Sequence, residues 1–107
     1  MPLLGFSVFH DEVKNGKKRQ TIRRHRKQPI KVGDTLYLYW HLRRKDCHLL
    51  KNAKCIETFT QTWRMLKASE EIAKRDGFNS SKEMREWFNK TPQSPNNEEL
   101  FDVIRWQ

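Results

Sequence analysis

Between Asn15 and Lys27 the chain carries Lys17, Lys18, Arg19, Arg23, Arg24, Arg26 and Lys27, with Thr21 and Ile22 set uncharged among them. Such a run fits a solvated surface, a grip on phosphates or part of a reactive site. What separates it from an ordinary basic tail is the β-branched pair Thr21-Ile22, which has strand-forming character. No Asp or Glu occurs between Val13 and Gly33, so near neighbours in sequence cannot neutralise these cations. Residues 1–54 hold 14 Lys and Arg against 4 Asp and Glu, whereas residues 55–107 hold 8 against 9. A net charge of +9 concentrated in one half attracts polyanions, nucleic acid first and an anionic membrane surface second.

A second basic cluster, Arg43, Arg44 and Lys45, follows the aromatic stretch Tyr37, Tyr39 and Trp40. If a fold brings the two clusters to one side, Lys17, Lys18, Arg19, Arg23, Arg24, Arg26, Lys27, Arg43, Arg44 and Lys45 supply phosphate contacts with a steep salt dependence. Tyr39 or Trp40, exposed beside them, would stack an unpaired base; packed inward, they are core. The expected partner is RNA or another single-stranded nucleic acid. A basic module for an acidic protein partner is the third alternative.

Other chemistries find less support. Cys47 and Cys55 make no disulfide framework, and His10, His25, His41 and His48 lack the spacing of a zinc quartet. No metal and no cofactor is expected. No apolar run approaches the roughly 20 residues of a membrane span, and the opening MPLLGFSVFHDE lacks the flanks of a signal peptide, so the protein is expected in the cytoplasm.

The elements that must hold these residues can be drawn along the chain. LLGFSVF predicts a strand, and HDEVKNG one or two helical turns closed by a left-handed Gly16. QTIR predicts a short strand. A turn at Val32-Gly33-Asp34 leads into the strand TLYLYW, where Leu36 and Leu38 alternate with Tyr37 and Tyr39. Cys47 to Trp63 predicts one long strand or a hairpin. Ser69 caps and Gly77 stops a helix over EEIAKR; Ser80 and Glu83 open another carrying Met84, Trp87 and Phe88 at core spacing. NKTPQSPNNEE is a loop and LFDVIRW a last strand. At 107 residues this is a single domain over residues 1–107, an α+β fold in which a small curled β-barrel is flanked by two to three short helices.

The order GKKRQTIRR, IKVGDTLYLYW, EEIAKRDGFNSSKEMREWF and FDVIRW resembles the ASCH domain family of the PUA-like superfamily over nearly the whole chain. Its most specific element is Gly-x-Lys-x-x-Thr-x-Arg, matched by Gly16, Lys18, Thr21 and Arg23. The resemblance implies a cleft lined by that Lys, Thr and Arg, an association with RNA, and in some bacterial members amidohydrolase activity on acetylated cytidine through a Lys, a Thr and a Glu. Carried over, the Lys is Lys18 and the Thr is Thr21; the Glu position is taken by Asp76, one methylene shorter. As an enzyme, amidohydrolase or ribonuclease, the protein would use Lys18, Thr21 and Asp76. For Lys18 to take a proton at neutral pH, burial or neighbouring positive charge must lower its pKa from about 10.4. Lys18 and Thr21 lie an odd number of positions apart, so they share a cleft only if the chain bends near Gly16.

Overall fold

The computed structural model describes residues 3–25, 30–90 and 94–107. Among them the elements run β1 (Leu3–Phe6), α1 (His10–Lys14), β2 (Gln20–Arg24), β3 (Thr35–Trp40), β4 (His48–Thr62), α2 (Trp63–Leu66), α3 (Glu70–Arg75), α4 (Ser81–Asn89) and β5 (Leu100–Trp106). β4, 15 residues long, sets the shape. Its first half pairs antiparallel with β3, Trp40 opposite His48 and Thr35 opposite Lys54. Its second half pairs antiparallel with β5, Cys55 opposite Trp106 and Thr62 opposite Leu100. The register shifts between Cys55 and Glu57, where the strand passes from one partner to the other, and such a bulge bends a strand and tightens its twist.

The sheet order β1-β3-β4-β5-β2 is therefore a curled half-barrel. Its edges are β1, parallel to β3, and β2, antiparallel to β5. Alternation along β5 feeds two cores. Ile104 and Trp106 join Leu4, Phe6, Leu36 and Leu38 inside the curl, while Phe101 and Val103 join Trp63, Leu66, Met84 and Phe88 beneath α2 to α4. Phe9 packs against both clusters.

The α+β architecture matches the expectation, with corrections. The curled sheet forms half a barrel, and the described residues hold four helices where two to three were expected. Of the two alternatives for Cys47 to Trp63, the single strand forms as His48–Thr62, and Trp63 opens α2, which the sequence pattern did not separate from the strand. Ser69 Oγ accepts from the Ile72 N–H at 3.2 Å and Ser80 Oγ from the Glu83 N–H at 3.1 Å, so both predicted caps form. Of the loop NKTPQSPNNEE, residues 91–93 lie outside the described residues, as do Gln28 and Pro29 before β3. No helix among the described residues is long and apolar enough to cross a membrane.

Candidate functional site

The gap between the two sheet edges is occupied by a cavity of about 510 Å³, within the range of small-molecule sites. β1 and the turn after it contribute Gly5 to Phe9, β2 contributes Thr21 to Arg24, and Phe78, Trp87, Phe88 and Phe101 close the far wall. Arg23 bridges the gap: its Nη2 donates to the Gly5 carbonyl at 2.6 Å and its Nε to Thr21 Oγ1 at 3.1 Å. The guanidinium also lies over the Phe6 ring, 4.9 Å from its centroid.

Lys18 enters this cavity because the chain bends before β2 begins. Gly16 takes φ +84°, which glycine adopts without a Cβ clash, and the Lys18 N–H donates to the Glu12 carbonyl at 2.8 Å. Lys18 therefore escapes the alternation of β2 and lines the same cavity as Thr21, three positions on. Lys18 is only 3% exposed and Thr21 4%.

Asp76 is carried in from the other core. It terminates α3, its N–H bonded to the Ile72 carbonyl at 3.0 Å, and its side chain is buried at the cavity. Lys18 Nζ stands 3.1 Å from Asp76 Oδ2 and donates to the Asp76 carbonyl as well. Gln20 Nε2 reaches Asp76 Oδ1 at 3.4 Å and donates to the Ile72 carbonyl at 3.0 Å. The following Gly77 has φ +108°, and a Cβ there would sit 3.1 Å from the Phe9 ring. A glycine is thus required both by the backbone and by the close approach of Phe9. Phe9 itself sits at φ 62°, a left-handed conformation uncommon for a bulky residue and one that concentrates at functional sites.

Burial governs the electrostatics of the pair. Desolvation holds the Lys18 amine below its ordinary value, against the attraction of Asp76, and the positive charge of Arg23 pushes the same way. Desolvation likewise raises the Asp76 carboxyl, against the attraction of Lys18 and its bond from Gln20. Burial thus opposes charge on both groups, and the attraction between them offsets it. The Phe9 ring face lies 4.9 Å from Nζ and that of Phe6 5.9 Å, which favours the ammonium and partly offsets the burial.

Of the other sequence-predicted site residues, Arg24 alone among those described lines this cavity. Lys17 and Arg19, flanking Lys18, line a separate hollow of about 350 Å³ with Arg75, Arg105 and Glu57. Arg24 lines the cleft and pairs with Glu99, its guanidinium 5.4 Å from the Phe101 centroid. Arg43, Arg44 and Lys45 are exposed on the turn after β3, which leaves the sheet at the same end as the Ser7–Phe9 turn without lining the cavity. Trp40 is half-buried against the inner core and Tyr39 is half-buried on β3; neither lines the cleft. Arg26 and Lys27 lie outside the described residues.

Trp87, expected to be core, is 38% exposed and forms part of the cleft wall, whereas Met84 and Phe88 of the same stripe are buried. Phe9 and Phe78 also line the wall, and in the sequence only the glycine at 77 hints at something packed closely there. Cys55 is buried and its thiol is pushed up by desolvation, the reverse of an activated nucleophile. Among the described residues no group of three or more His, Cys, Asp or Glu is arranged to hold a metal.

An open α+β half-barrel with a cleft in its seam is the class this geometry defines. The fold is ASCH-like: 98% of the chain superposes on the ASCH structure from Zymomonas mobilis with a TM-score of 0.64 at 17% identity. Two point mutants of that protein superpose with TM-scores of 0.65 at 17% and 16% identity. The chain spans about two thirds of their length, between 65% and 67%. No protein-family model and no curated protein sequence matches it.

Proposed function

We propose that the cleft receives a single unpaired nucleobase, presented by RNA or another single strand or as a free, modified nucleoside. The observation that carries this is the pairing of aromatic walls with a polar floor: Phe6, Phe9, Phe78 and Trp87 flank a cavity into which Lys18, Thr21 and Asp76 project. A planar heterocycle stacks on such walls, and the floor offers donors and an acceptor to its polar edge. Arg23 and Arg24, which also line the cavity, would supply guanidinium donors to a phosphate or ribose of the same nucleotide. The ASCH-like fold is consistent with this reading.

The test is titration of the protein with cytidine, N4-acetylcytidine and short single-stranded RNA, followed by tryptophan fluorescence, since Trp87 lies on the wall. Saturable quenching that is lost in Thr21→Ala is the expected result. Absence of binding for every one of these probes would overturn the proposal.

The buried pair favours a second reading, hydrolysis in the same cleft, either of an acetylated cytidine-type nucleoside or of RNA. A neutral Lys18 takes a proton from water held by the Thr21 hydroxyl; the resulting hydroxide attacks the acyl carbon, the C–N bond breaks, and the proton returns to the leaving amine. Asp76 holds Nζ in place at 3.1 Å and accommodates the proton as it moves. Release of acetate from N4-acetylcytidine, abolished in Lys18→Ala while base binding persists, distinguishes catalysis from binding alone.

A further inference from the structure

Next to Phe9 in the chain, α1 begins with His10, which meets the first residue of β4, His48. Their Nε2 atoms stand 3.0 Å apart. The opposite nitrogens decide what those atoms are. His10 Nδ1 lies 2.9 Å from Asp11 Oδ1 and His48 Nδ1 lies 2.9 Å from the Asp46 carbonyl. A carboxylate and a carbonyl only accept, so each Nδ1 carries its hydrogen. With both imidazoles neutral each Nε2 is then a bare lone pair, and two lone pairs aimed at one another repel unless a shared proton or a metal ion stands between them.

This is also how histidines that ligate metals are prepared: one ring nitrogen donates to a carboxylate or carbonyl, which fixes the tautomer and turns the other nitrogen toward the ion. The aromatic surroundings reinforce the pose. Trp40 meets the His10 ring edge to face, with centroids 4.9 Å apart, and is itself stacked on His41 at 4.2 Å. His41 is turned aside, its Nδ1 bonded to Asp46 Oδ2 at 2.6 Å. Both members of the pair reach solvent: the His10 side chain is 30% exposed and His48 is exposed.

We infer that His10 and His48 form a two-imidazole site for a divalent transition-metal ion, with zinc and copper(II) as the ions its ligand chemistry suits. Two protein donors leave the other positions to water, so the site is an exchangeable one rather than a structural centre. Copper(II) binds more tightly than zinc, as nitrogen donors order these ions. Because the ligands come from α1 and β4, the ion ties the residue next to Phe9 to the sheet and stabilises the folded form by mass action.

The experiment uses the untagged 107-residue chain titrated calorimetrically with ZnCl₂ and with CuCl₂ at neutral pH. The expected result is one ion per chain, with copper(II) the tighter, lost in His10→Ala and in His48→Ala but kept in His25→Ala. Asp11→Asn weakens binding by about tenfold through the tautomer it no longer fixes. Zinc raises the melting temperature of the parent protein and not that of His48→Ala. The proposal is overturned if no stoichiometric binding occurs, as for a pair that shares only a proton, or if binding survives both single His→Ala variants.

Discussion

Lys17 and Lys18 are neighbours in sequence and end in two unlike hollows. Lys18 turns into the seam, loses water, and meets Asp76 among aromatic rings. Lys17 stays exposed and shares with Arg19, Arg75 and Arg105 a basic hollow whose charges are partly balanced, Arg105 by Glu57 at 2.7 Å and Arg75 by Glu71 at 3.3 Å. Gln20 stands between, its Oε1 accepting from Arg105 Nε at 2.9 Å on one side and its Nε2 bonded toward Asp76 on the other. The same residue type is thus a solvated point charge in one place and a desolvated group paired with a buried carboxyl in the other. Burial, not charge count, separates a candidate reactive site from a surface.

The largest test of that contrast is Lys18→Met. Removing one partner leaves Asp76 buried without its counter-charge and should cost about 3–5 kcal/mol of unfolding free energy. Lys17→Met should leave the denaturant midpoint unchanged. The double variant Lys18→Met/Asp76→Leu should regain the lost stability and equal or exceed the parent by up to about 4 kcal/mol, since an apolar pair needs no desolvation. If the double variant is as unstable as Lys18→Met, burial of the pair is not what distinguishes the two hollows.

The pH dependence sharpens the same point. A carboxyl whose folded pKa is raised contributes stability that is complete below its unfolded value and is lost as pH rises through the folded one. With Asp76 raised from 3.8, Lys18→Met should therefore be most stable in acid and weaken toward neutrality. For Lys18, held below 10.5, the sign is opposite: its contribution is present above that value and lost as pH falls through the folded pKa. Asp76→Leu should accordingly gain stability from neutral pH upward. Chemical denaturation from about pH 4 to about pH 10, between the ordinary carboxyl and amine values, checks both slopes.

Ligand binding should split the hollows more gently. Trp87→Ala should weaken a nucleobase by about tenfold, the lower end of the effect of losing one stacked aromatic, and Arg19→Ala should leave a free nucleoside unaffected. The smallest effect belongs to the outer hollow. Lys17→Ala should lower the salt slope of RNA oligonucleotide binding by about 1 if a phosphate passes there, and by nothing if the strand does not reach it.

Much of this architecture was legible in the chain. Alternation in TLYLYW placed Leu36 and Leu38 inward and left Tyr37 and Tyr39 half-buried, because period-two patterning is a property of strands themselves. Gly16, Gly33 and Gly77 all take the positive φ that their turns demand. The cleft was legible in part: the bend beside Gly16 was anticipated as a condition, and the structure places Lys18 and Thr21 at one cavity. What the chain could not disclose is which side of an amphipathic helix meets a core and which meets a groove. Met84, Trp87 and Phe88 share one stripe, and Trp87 falls at the groove only because α4 overhangs the seam. Nor did composition warn that consecutive cations in Lys17-Lys18-Arg19 would be parted between two hollows.

β5 has a mechanical consequence. Its odd-numbered apolar residues anchor one hydrophobic cluster and its even-numbered ones the other, with the Phe9 ring touching both. Neither layer can melt without stripping the neighbour's support, so two distinct cores should lose their structure in one cooperative step, seen as a single calorimetric transition.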